Sequence, residues 1–400
     1  MAKRRANSEG SVRQRADGRF EARLSYMDPN TGKRKRLSVY ASTRKAAFDN
    51  LKEARDRVET GAPPRDASCT VGEWLAHWRM STLAASDRRP STRELYASLC
   101  RKHLESEPFG SIRLDRLRPS QIEGLVLMMR AKTRPAKHSG EAEDNPEPQQ
   151  VRALSDSTVR QIYTILRAGL DGAVRDGLLA RNPAAQVRRP GIQQVEAKHL
   201  APDAVSNLLK AAEGSRYYAA LVLIASTGLR RGEALGLSWK NVDLDTGLLK
   251  VTATLNRVGG KLVCSEPKTQ RARRTLPLTP TLVNLLRKHK AAQAAERLRA
   301  ANQWADSGLV FTSELGTPVD PRNLLRTIEA AATKAGINGV VVHTLRHSAA
   351  TTWLEAGVHI KAVADLLGHS SISITGDTYG HGSTDAARAA VIALGTRLNL

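Results

Sequence analysis

The sequence contains few cysteines, few aromatic residues and no long apolar run. Of its 400 residues, 3 are cysteine and 4% are aromatic. Cys69, Cys100 and Cys264 are far apart in the chain, which argues against both a disulfide framework and a cysteine-based zinc cluster. The longest apolar stretch, Tyr217 to Ala225, falls well short of the ~20 residues that a membrane-spanning helix needs. The composition therefore excludes a disulfide-rich secreted domain and a helical membrane protein.

The amino-terminal segment lacks the features of a secretory signal. It reads MAKRRANSEG, in which basic residues are present but no apolar core follows them. Together with the scattered cysteines, this segment predicts an intracellular protein in a reducing compartment.

Acidic residues are outnumbered by basic ones. The chain has 62 Lys and Arg against 39 Asp and Glu, a formal net charge of +23, while its 41% hydrophobic content is ordinary for a globular protein. Nucleic acid is the expected partner, because each phosphate that a protein neutralises releases counterions and strengthens binding. A coding bias toward arginine and alanine would also raise the charge, so composition alone does not decide between these two origins.

Residues 1–65 form the first of three predicted domains. They carry 17 Lys and Arg against 8 Asp and Glu. Alternating segments around the turns at Asp17-Gly18 and at Asp28–Gly32 predict three strands, because these residues favour hairpin turns. Ser42-Thr43 is a capping signal for a helix over 44–59. The result is a small β-sheet plus one helix, interpreted as a DNA-binding module, with a solvated basic surface as the alternative.

Residues 68–190 predict an all-α second domain of four helices, because apolar residues recur at intervals of three and four. Ser91 is the expected cap of the second helix, and Pro119 is expected in the first turn of the third. The fourth helix is expected to end at Asn182-Pro183. A polar, proline-rich segment over 133–150 predicts an exposed, mobile loop before it. The helical segments are 71–83, 91–104, 119–132 and 155–179.

Residues 198–400 predict a third domain of mixed α+β structure that is mostly α. The linker RRPGIQQ, residues 188–194, precedes it. One small antiparallel sheet is expected from three segments around the turn at Val258-Gly259-Gly260. These segments are 248–256, 261–267 and 273–278. The whole chain is thus predicted to be multidomain.

Several short motifs in the third domain contain residues suited to chemistry on phosphates. They are STGLRRGE at Ser226–Glu233, PKT at Pro267–Thr269, HTLRH at His343–His347, and LGH at Leu367–His369, which Tyr379 follows ten residues after the histidine. Together they resemble the tyrosine recombinase (phage integrase) family, whose pattern is Arg, Lys, His-x-x-Arg, His or Trp, and Tyr in that chain order. The positions that match are Arg230, Lys268, His343, Arg346, His369 and Tyr379.

The two arginines suit the reaction that the resemblance implies. Attack on a phosphodiester places negative charge on the non-bridging oxygens, and guanidinium groups bind such oxygens bidentately without losing their charge. Arg230 follows a Thr-Gly-Leu turn that leads into a helix, so we expect it near a helix N-terminus. Arg346 lies three residues after His343, which places both on one helical face. Arg231 is expected to be a surface cation, and Glu233 to orient the turn or a neighbouring arginine.

The resemblance implies that Tyr379 is the nucleophile and forms a covalent 3′-phosphotyrosine. A phenol of pKa ~10 attacks poorly unless a cationic pocket stabilises its oxyanion. Lys268 follows Pro267 at the tip between two strands, and the family's equivalent lysine is the general acid for the leaving 5′ oxygen. The competing interpretation makes Lys268 a simple phosphate contact, as expected for Arg271, Arg273 and Arg274.

The histidines are expected to act on the phosphate without a metal. His343 and His347 have the spacing of metal ligands, but the zinc-protease pattern requires glutamate at position 344, where Thr344 stands. His343 is therefore interpreted as a proton shuttle or a hydrogen-bond donor to the phosphate, and His347 as structural. The resemblance implies that His369 hydrogen-bonds the scissile phosphate. No metal, ATP or other cofactor is expected, because the phosphotyrosine conserves the bond energy.

The resemblance also implies an architecture and partners. Residues 1–65 would bind arm-type DNA, 68–190 would be a helical core-binding (SAM-like) domain, and 198–400 would be catalytic. The partners would be double-stranded DNA attachment sites, three further copies in a homotetramer, an excisionase and a host DNA-bending protein, in the cytoplasm and nucleoid of a bacterial host. The apolar segment 384–400 would pack on a neighbouring subunit, or else complete its own core.

The function that the resemblance favours is a mobile-element integrase, because the extra N-terminal domain is absent from chromosome-dimer-resolving recombinases. Chromosome-dimer-resolving and transposon-type tyrosine recombinases stay open as alternatives. A type IB topoisomerase shares the chemistry but relaxes DNA as a monomer. A non-catalytic DNA-binding regulator of the same fold is disfavoured by the complete set of six residues.

Overall fold

A computed structural model of the chain describes residues 11–27, 34–59, 69–135, 150–193, 198–267, 270–379 and 392. It contains both helices and strands and divides into two compact units, residues 1–194 and 195–400. The division into three domains at 1–65, 68–190 and 198–400 stays a prediction. No helix of the described residues is both long and apolar enough to cross a bilayer.

A three-stranded antiparallel sheet and one helix begin the first unit. Phe20 on the central strand pairs with Gln14 on one side and Ala41 on the other. The helix packs Leu51 against Leu24 of the sheet, as the predicted module requires. The elements are β1 (Ser11–Gln14), β2 (Phe20–Met27), β3 (Arg34–Ala41) and α1 (Arg44–Glu59). The predicted bounds of the helix are confirmed, and the Thr43 hydroxyl caps it by accepting from the Ala46 N–H (3.2 Å).

The other α-helices and strands among the described residues of the first unit are four helices and one short hairpin. Their core contains Trp74, Trp78, Ile162 and Leu166, and the first helix continues as a π-helical turn over Arg79–Leu83. The elements are α2 (Val71–Trp78), α3 (Pro90–His103), α4 (Pro119–Ala131), β4 (Thr133–Pro135), β5 (Gln150–Arg152) and α5 (Asp156–Arg175).

Two local predictions in this unit were wrong, and a third changes at its two ends. Ser91 does not cap α3, because Pro90 with its restricted φ already occupies the first turn. Helix α5 ends at Arg175, since the chain turns back and the Leu178 N–H donates to the Ala173 carbonyl. The predicted loop over 133–150 is ordered at both ends, where β4 and β5 pair; residues 136–149 lie outside the described residues.

The second unit contains α7, a largely apolar helix that packs against α6, α8, α9 and α11. The helices are α6 (Pro202–Ala211), α7 (Tyr218–Thr227), α8 (Arg231–Leu235), α9 (Pro280–Ala300), α10 (Pro321–Lys334), α11 (Val342–Glu355), α12 (Ile360–Leu367) and α13 (Ile372–Tyr379). The strands are β6 (Val242–Asp243), β7 (Leu248–Val251), β8 (Thr254–Val258), β9 (Lys261–Ser265) and β10 (Arg274–Pro277).

The described strands of the second unit form two sheets, whereas the sequence predicted a single sheet. Strand β7 pairs with β10 and β6, whereas β8 and β9 form a separate hairpin around the predicted glycine turn. The break falls at Thr252-Ala253, which leave the ladder, and the Thr252 hydroxyl instead accepts from the Asn241 amide (2.8 Å).

Candidate active site

Arg230 lies where α7 ends and α8 begins. Gly228 ends α7 in the left-handed conformation (φ 64°), and a Cβ there would lie 2.9 Å from Leu367 Cδ2, so both backbone and packing require glycine. Arg230 is then the N-cap residue of α8. Its Nη1 donates to Glu233 Oε1 (2.7 Å) and to the Leu367 carbonyl (3.3 Å), and its Nη2 donates to the Gly368 carbonyl (3.4 Å). The predicted position at a helix N-terminus is confirmed.

Glu233 is a buried carboxylate, 3% exposed, that joins two arginines. Its oxygens accept from the main-chain N–H and Nη1 of Arg230 and from Nη2 of Arg274 (2.9 Å). Burial by itself raises the pKa of Glu233, but the hydrogen bond from Arg274 and the charges of both arginines outweigh burial and lower it. Glu233 is therefore ionised and orients Arg230, in keeping with the structural part predicted for it.

Arg274 is a buried residue whose guanidinium group bonds to protein acceptors. Its side chain is 7% exposed, and besides Glu233 it donates to the Leu366 carbonyl through Nε (2.6 Å) and to the Ala272 carbonyl through Nη1 (3.2 Å). It thereby ties β10 to α8 and to the end of α12. These bonds favour a structural part for Arg274, and the phosphate contact expected for it stays a prediction.

Arg346 is almost fully buried on α11, with 2% exposure. Its Nη1 donates to the Gly228 carbonyl (2.6 Å), and its Nη2 donates to the Leu367 carbonyl (2.8 Å) and to Nε2 of His369 (2.9 Å). Because Arg230 also donates to the Leu367 carbonyl, the two guanidinium groups converge on one oxygen. The site thus holds two permanent positive charges side by side.

His369 follows Gly368, which ends α12 with a φ of 64°. Its Nε2 accepts from Arg346, and its Nδ1 lies 2.8 Å from the Thr375 hydroxyl. Burial first, and then the charges of Arg346, Arg230 and Arg274, lower the pKa of His369 to about 4. His369 is therefore neutral at physiological pH.

His343 and His347 lie one turn apart on α11, with ring centroids 5.3 Å apart in an edge-to-face arrangement. Although the His343 side chain is exposed at the surface, desolvation by its neighbours and then the charge of Arg346 lower its pKa to about 4. The nearby positive charges require that direction even for an exposed ring. Within the described part of the chain, no three His, Cys, Asp or Glu side chains cluster as metal ligands would.

Of the remaining two predicted residues, Lys268 and Tyr379, the structure describes only the backbone of Tyr379. Lys268 lies outside the described residues, in the segment between β9 and β10. Tyr379 is the last residue of α13, but its side chain is not among those described. The structure therefore brings Arg230 and Arg346 together at the Leu367 carbonyl, with His369 bonded to Arg346 and His343 one turn from Arg346. The catalytic parts of all six residues stay predictions.

Sequence reasoning missed Thr375, and it named Arg274 only as a phosphate contact and not as a partner of Glu233. A signal existed for Arg274: it shares a strand face with the buried Leu276, two residues on. Thr375 is fully buried, and no pattern in the sequence distinguishes it from neighbouring serines and threonines.

Comparison with known proteins agrees with this geometry. Residues 198–385 match the phage integrase family. A tyrosine recombinase XerC-like protein of Caldanaerobacter subterraneus subsp. tengcongensis is 28% identical over 368 residues, which cover 88% of this chain and 89% of that protein. An integrase of Saccharopolyspora erythraea is 26% identical, and the alignment covers 93% of this chain and 92% of that protein.

Solved structures show the same fold. The Tn1549 transposon integrase in complex with a circular intermediate DNA has a TM-score of 0.64 and 22% identity, covering 82% of this chain and 100% of that chain. A lambda integrase tetramer bound to a Holliday junction has a TM-score of 0.56 and 19% identity, covering 95% of this chain and 99% of that chain. Residues 198–385 therefore belong to the phage integrase family of tyrosine recombinases, enzymes that cleave and rejoin DNA, and the relatives that align over most of the chain are a tyrosine recombinase XerC-like protein and an integrase.

Proposed function

We propose that the protein is a site-specific recombinase that integrates a mobile element and, with a helper protein, excises it. The observation that carries this proposal is the convergence of Arg230 and Arg346 on the Leu367 carbonyl, with His369 bonded to Arg346. Two guanidinium groups so close together form a pocket for the anionic phosphate of a DNA strand. The helix that follows His369 ends at Tyr379, the residue that matches the family's nucleophile.

The reaction proceeds in two phosphoryl transfers. The Tyr379 oxygen attacks the scissile phosphorus, forming a 3′-phosphotyrosine and releasing a 5′ oxygen that Lys268 protonates. A 5′ hydroxyl from the partner duplex then attacks the phosphotyrosine and releases the tyrosine. Arg230 and Arg346 stabilise the charge that develops on the non-bridging oxygens, and loss of one such donor typically slows a reaction ~10²–10³-fold. His343 shuttles a proton or donates to the phosphate, and His369 donates to it. Neither a metal ion nor ATP takes part.

The other partners follow from the same proposal. Residues 1–65 bind arm-type DNA, 68–190 bind the core site together with the catalytic residues 198–400, and four copies assemble on two sites. An excisionase and a host DNA-bending protein set the direction of the reaction. The protein acts in the cytoplasm and nucleoid of a bacterial host.

A suicide-substrate assay tests the nucleophile. The substrate is a nicked duplex that carries the core sequence shared by the two ends of the element, and the product is a protein–DNA adduct that survives denaturing electrophoresis. Wild type is expected to trap this adduct in EDTA and without ATP, whereas Tyr379→Phe is expected to form none.

Tyr218→Phe is the matched control, because it removes the same hydroxyl from a half-buried tyrosine of α7 in the same unit. It is expected to form the adduct like wild type. An adduct with Tyr379→Phe would show that another residue is the nucleophile. A wild-type protein that binds its core DNA without any adduct would favour the non-catalytic DNA-binding regulator instead.

A further inference from the structure

The ring of His369 is held between two side chains that determine where its proton lies. Arg346 Nη2 is 2.9 Å from Nε2, and the Thr375 hydroxyl is 2.8 Å from Nδ1. A guanidinium group can only donate hydrogen bonds, so Nε2 must be the acceptor. The ring therefore carries its single proton on Nδ1 and donates it to the Thr375 oxygen.

This arrangement conflicts with the part that His369 plays in the proposed function. Donation to a phosphate oxygen requires a proton on Nε2, the nitrogen that accepts from Arg346 in the structure. The ring could gain that proton as an imidazolium, but burial and the charges of Arg346, Arg230 and Arg274 disfavour the cation and lower the pKa to about 4. A change between neutral tautomers supplies the proton without adding a fourth positive charge beside these three arginines.

Thr375 has the one chemistry that such a change requires. A hydroxyl group rotates and can both donate and accept, whereas a carbonyl or carboxylate partner could only accept and would hold the proton on Nδ1. The side chain of Thr375 is 0% exposed, whereas the half-buried ring of His369 can exchange protons with solvent. Thr375 also lies on α13, one turn before the backbone of Tyr379, so the hydroxyl is available only while this helix packs beside His369.

We propose that Thr375 is a positioning residue that lets His369 exchange tautomers when a scissile phosphate enters the site. In the exchange, Nδ1 loses its proton to solvent, Nε2 gains one from solvent, and the Thr375 hydroxyl turns from accepting at Nδ1 to donating to it. The charge of the ring is unchanged. Nε2–H then donates to the phosphate oxygen, and Arg346 Nη2 turns from the ring to the same phosphate. This inference rests on the proposed function.

The starting tautomer can be tested without any reaction. Ring ¹⁵N chemical shifts of His369 in the full-length protein, assigned by comparison with His369→Ala, are expected to show a protonated Nδ1 and an unprotonated Nε2 at pH 7. The reverse pattern would overturn the proposal whether or not the protein recombines DNA.

The coupling is tested by single-turnover cleavage of the suicide duplex with Thr375→Val and Thr375→Ser. Valine keeps the shape of threonine but cannot donate, so cleavage is expected to slow by ~10²-fold, the usual cost of one lost donor to a transition-state oxyanion. Serine keeps the hydroxyl and is expected to restore most of the rate. Thr312→Val, which removes a buried hydroxyl bonded to Gln293 elsewhere in the unit, is expected to cleave like wild type.

A double-mutant cycle separates positioning from folding. In a His369→Ala background, Thr375→Val is expected to cause no further slowing, because the two residues act as one unit. If Thr375→Val slows both backgrounds equally, or slows neither while wild type still forms its adduct, Thr375 does not act through His369 and the proposal fails alone. If Thr375→Val shows no cooperative thermal unfolding, Thr375→Ala takes its place in the same cycle.

Discussion

Replacing Arg274 with methionine is expected to destabilise the second unit without removing a DNA contact. The substitution deletes a guanidinium group that lies 2.9 Å from Glu233 Oε2, 2.6 Å from the Leu366 carbonyl and 3.2 Å from the Ala272 carbonyl. Methionine occupies a similar volume but donates nothing. The carboxylate of Glu233 stays in a place where it is only 3% exposed, and it keeps Arg230 as its one cationic partner.

The magnitude follows from the cost of a buried charge that loses a partner. Breaking a buried ion pair from one side typically costs ~3–5 kcal/mol, and the remaining bond to Arg230 favours the lower end, about 3 kcal/mol. For a unit of this size, each kcal/mol shifts the melting temperature by ~2–4 °C, so Arg274→Met is expected to melt roughly 6–12 °C lower.

The stability difference between wild type and Arg274→Met should depend on pH, and the direction of that dependence follows from the pKa of Glu233. Arg274 and Arg230 lower the pKa of Glu233 in the folded state, so the stability that this group contributes is present above the ordinary carboxyl range. It is lost as the pH falls through the lowered folded-state pKa. Arg274→Met moves that pKa upward, and the gap between the two melting temperatures should therefore be wide at pH 7 and narrow on acidification.

Calorimetric unfolding of the full chain at pH 7 measures the effect. The double variant Glu233→Gln/Arg274→Met should regain most of the lost stability, because the uncompensated charge is gone. Core-DNA affinity measured at several salt concentrations is the second readout, since each phosphate contact contributes ~0.9 to the slope of log K against log salt. An unchanged melting temperature combined with a slope reduced by about one contact would refute the structural argument and restore Arg274 as a phosphate contact.

Three further outcomes are expected. In denaturant unfolding, Gly110→Ala should lower the free energy of unfolding by ~1–3 kcal/mol, because its Cβ would lie 2.2 Å from the main-chain oxygen of Glu105. Gly124→Ala is the control: its Cβ would have nothing within 4 Å, so it should raise the free energy of unfolding by ~0.5–1 kcal/mol. The pKa of His369 in the folded protein is about 4, below the ordinary ~6.5, so the stability that the neutral ring contributes is lost as the pH falls from 6.5 to 4. The melting temperature of wild type should therefore drop more steeply over that interval than the melting temperature of His369→Asn. Parallel curves of melting temperature against pH would contradict this expectation. Deleting residues 384–400, which with the exception of residue 392 lie outside the described residues, should prevent tetramer assembly on DNA in sedimentation experiments, and unchanged assembly would favour packing of the segment within its own subunit.

Much of the local structure was predictable because local signals agree with one another. The bounds of α1 follow from apolar periodicity, the Thr43 cap and the Gly-Pro-rich segment after it. The start of α4 follows from Pro119. The end of α5 and the separation of β7 from β8 were not predictable, because each depends on which main-chain groups find partners after the chain has turned.

The site was predictable in its members but not in their connections. Chain order identified Arg230, Arg346 and His369, and the fold brings them together. The pairing of Arg274 with Glu233 depends on a contact across 41 residues of sequence, and the burial of Thr375 depends on the packing of one helix. Such contacts cannot be predicted from single segments, because the sequence of one segment does not show which other segment it will pack against.

The two arginines of the site are anchored by main-chain oxygens, those of Gly228, Leu367 and Gly368. No exchange of side chains in the surroundings can delete these anchors. Their placement depends on Gly228 and Gly368, both at φ 64°, where a Cβ would meet its neighbour at 2.9 Å. If the whole gene is mutated at random and inactive variants are collected, substitutions at these two glycines should accordingly be frequent among them. A mutational study limited to ionisable residues would not include either position. The geometry of a strongly cationic centre thus depends on two residues that have no side chain.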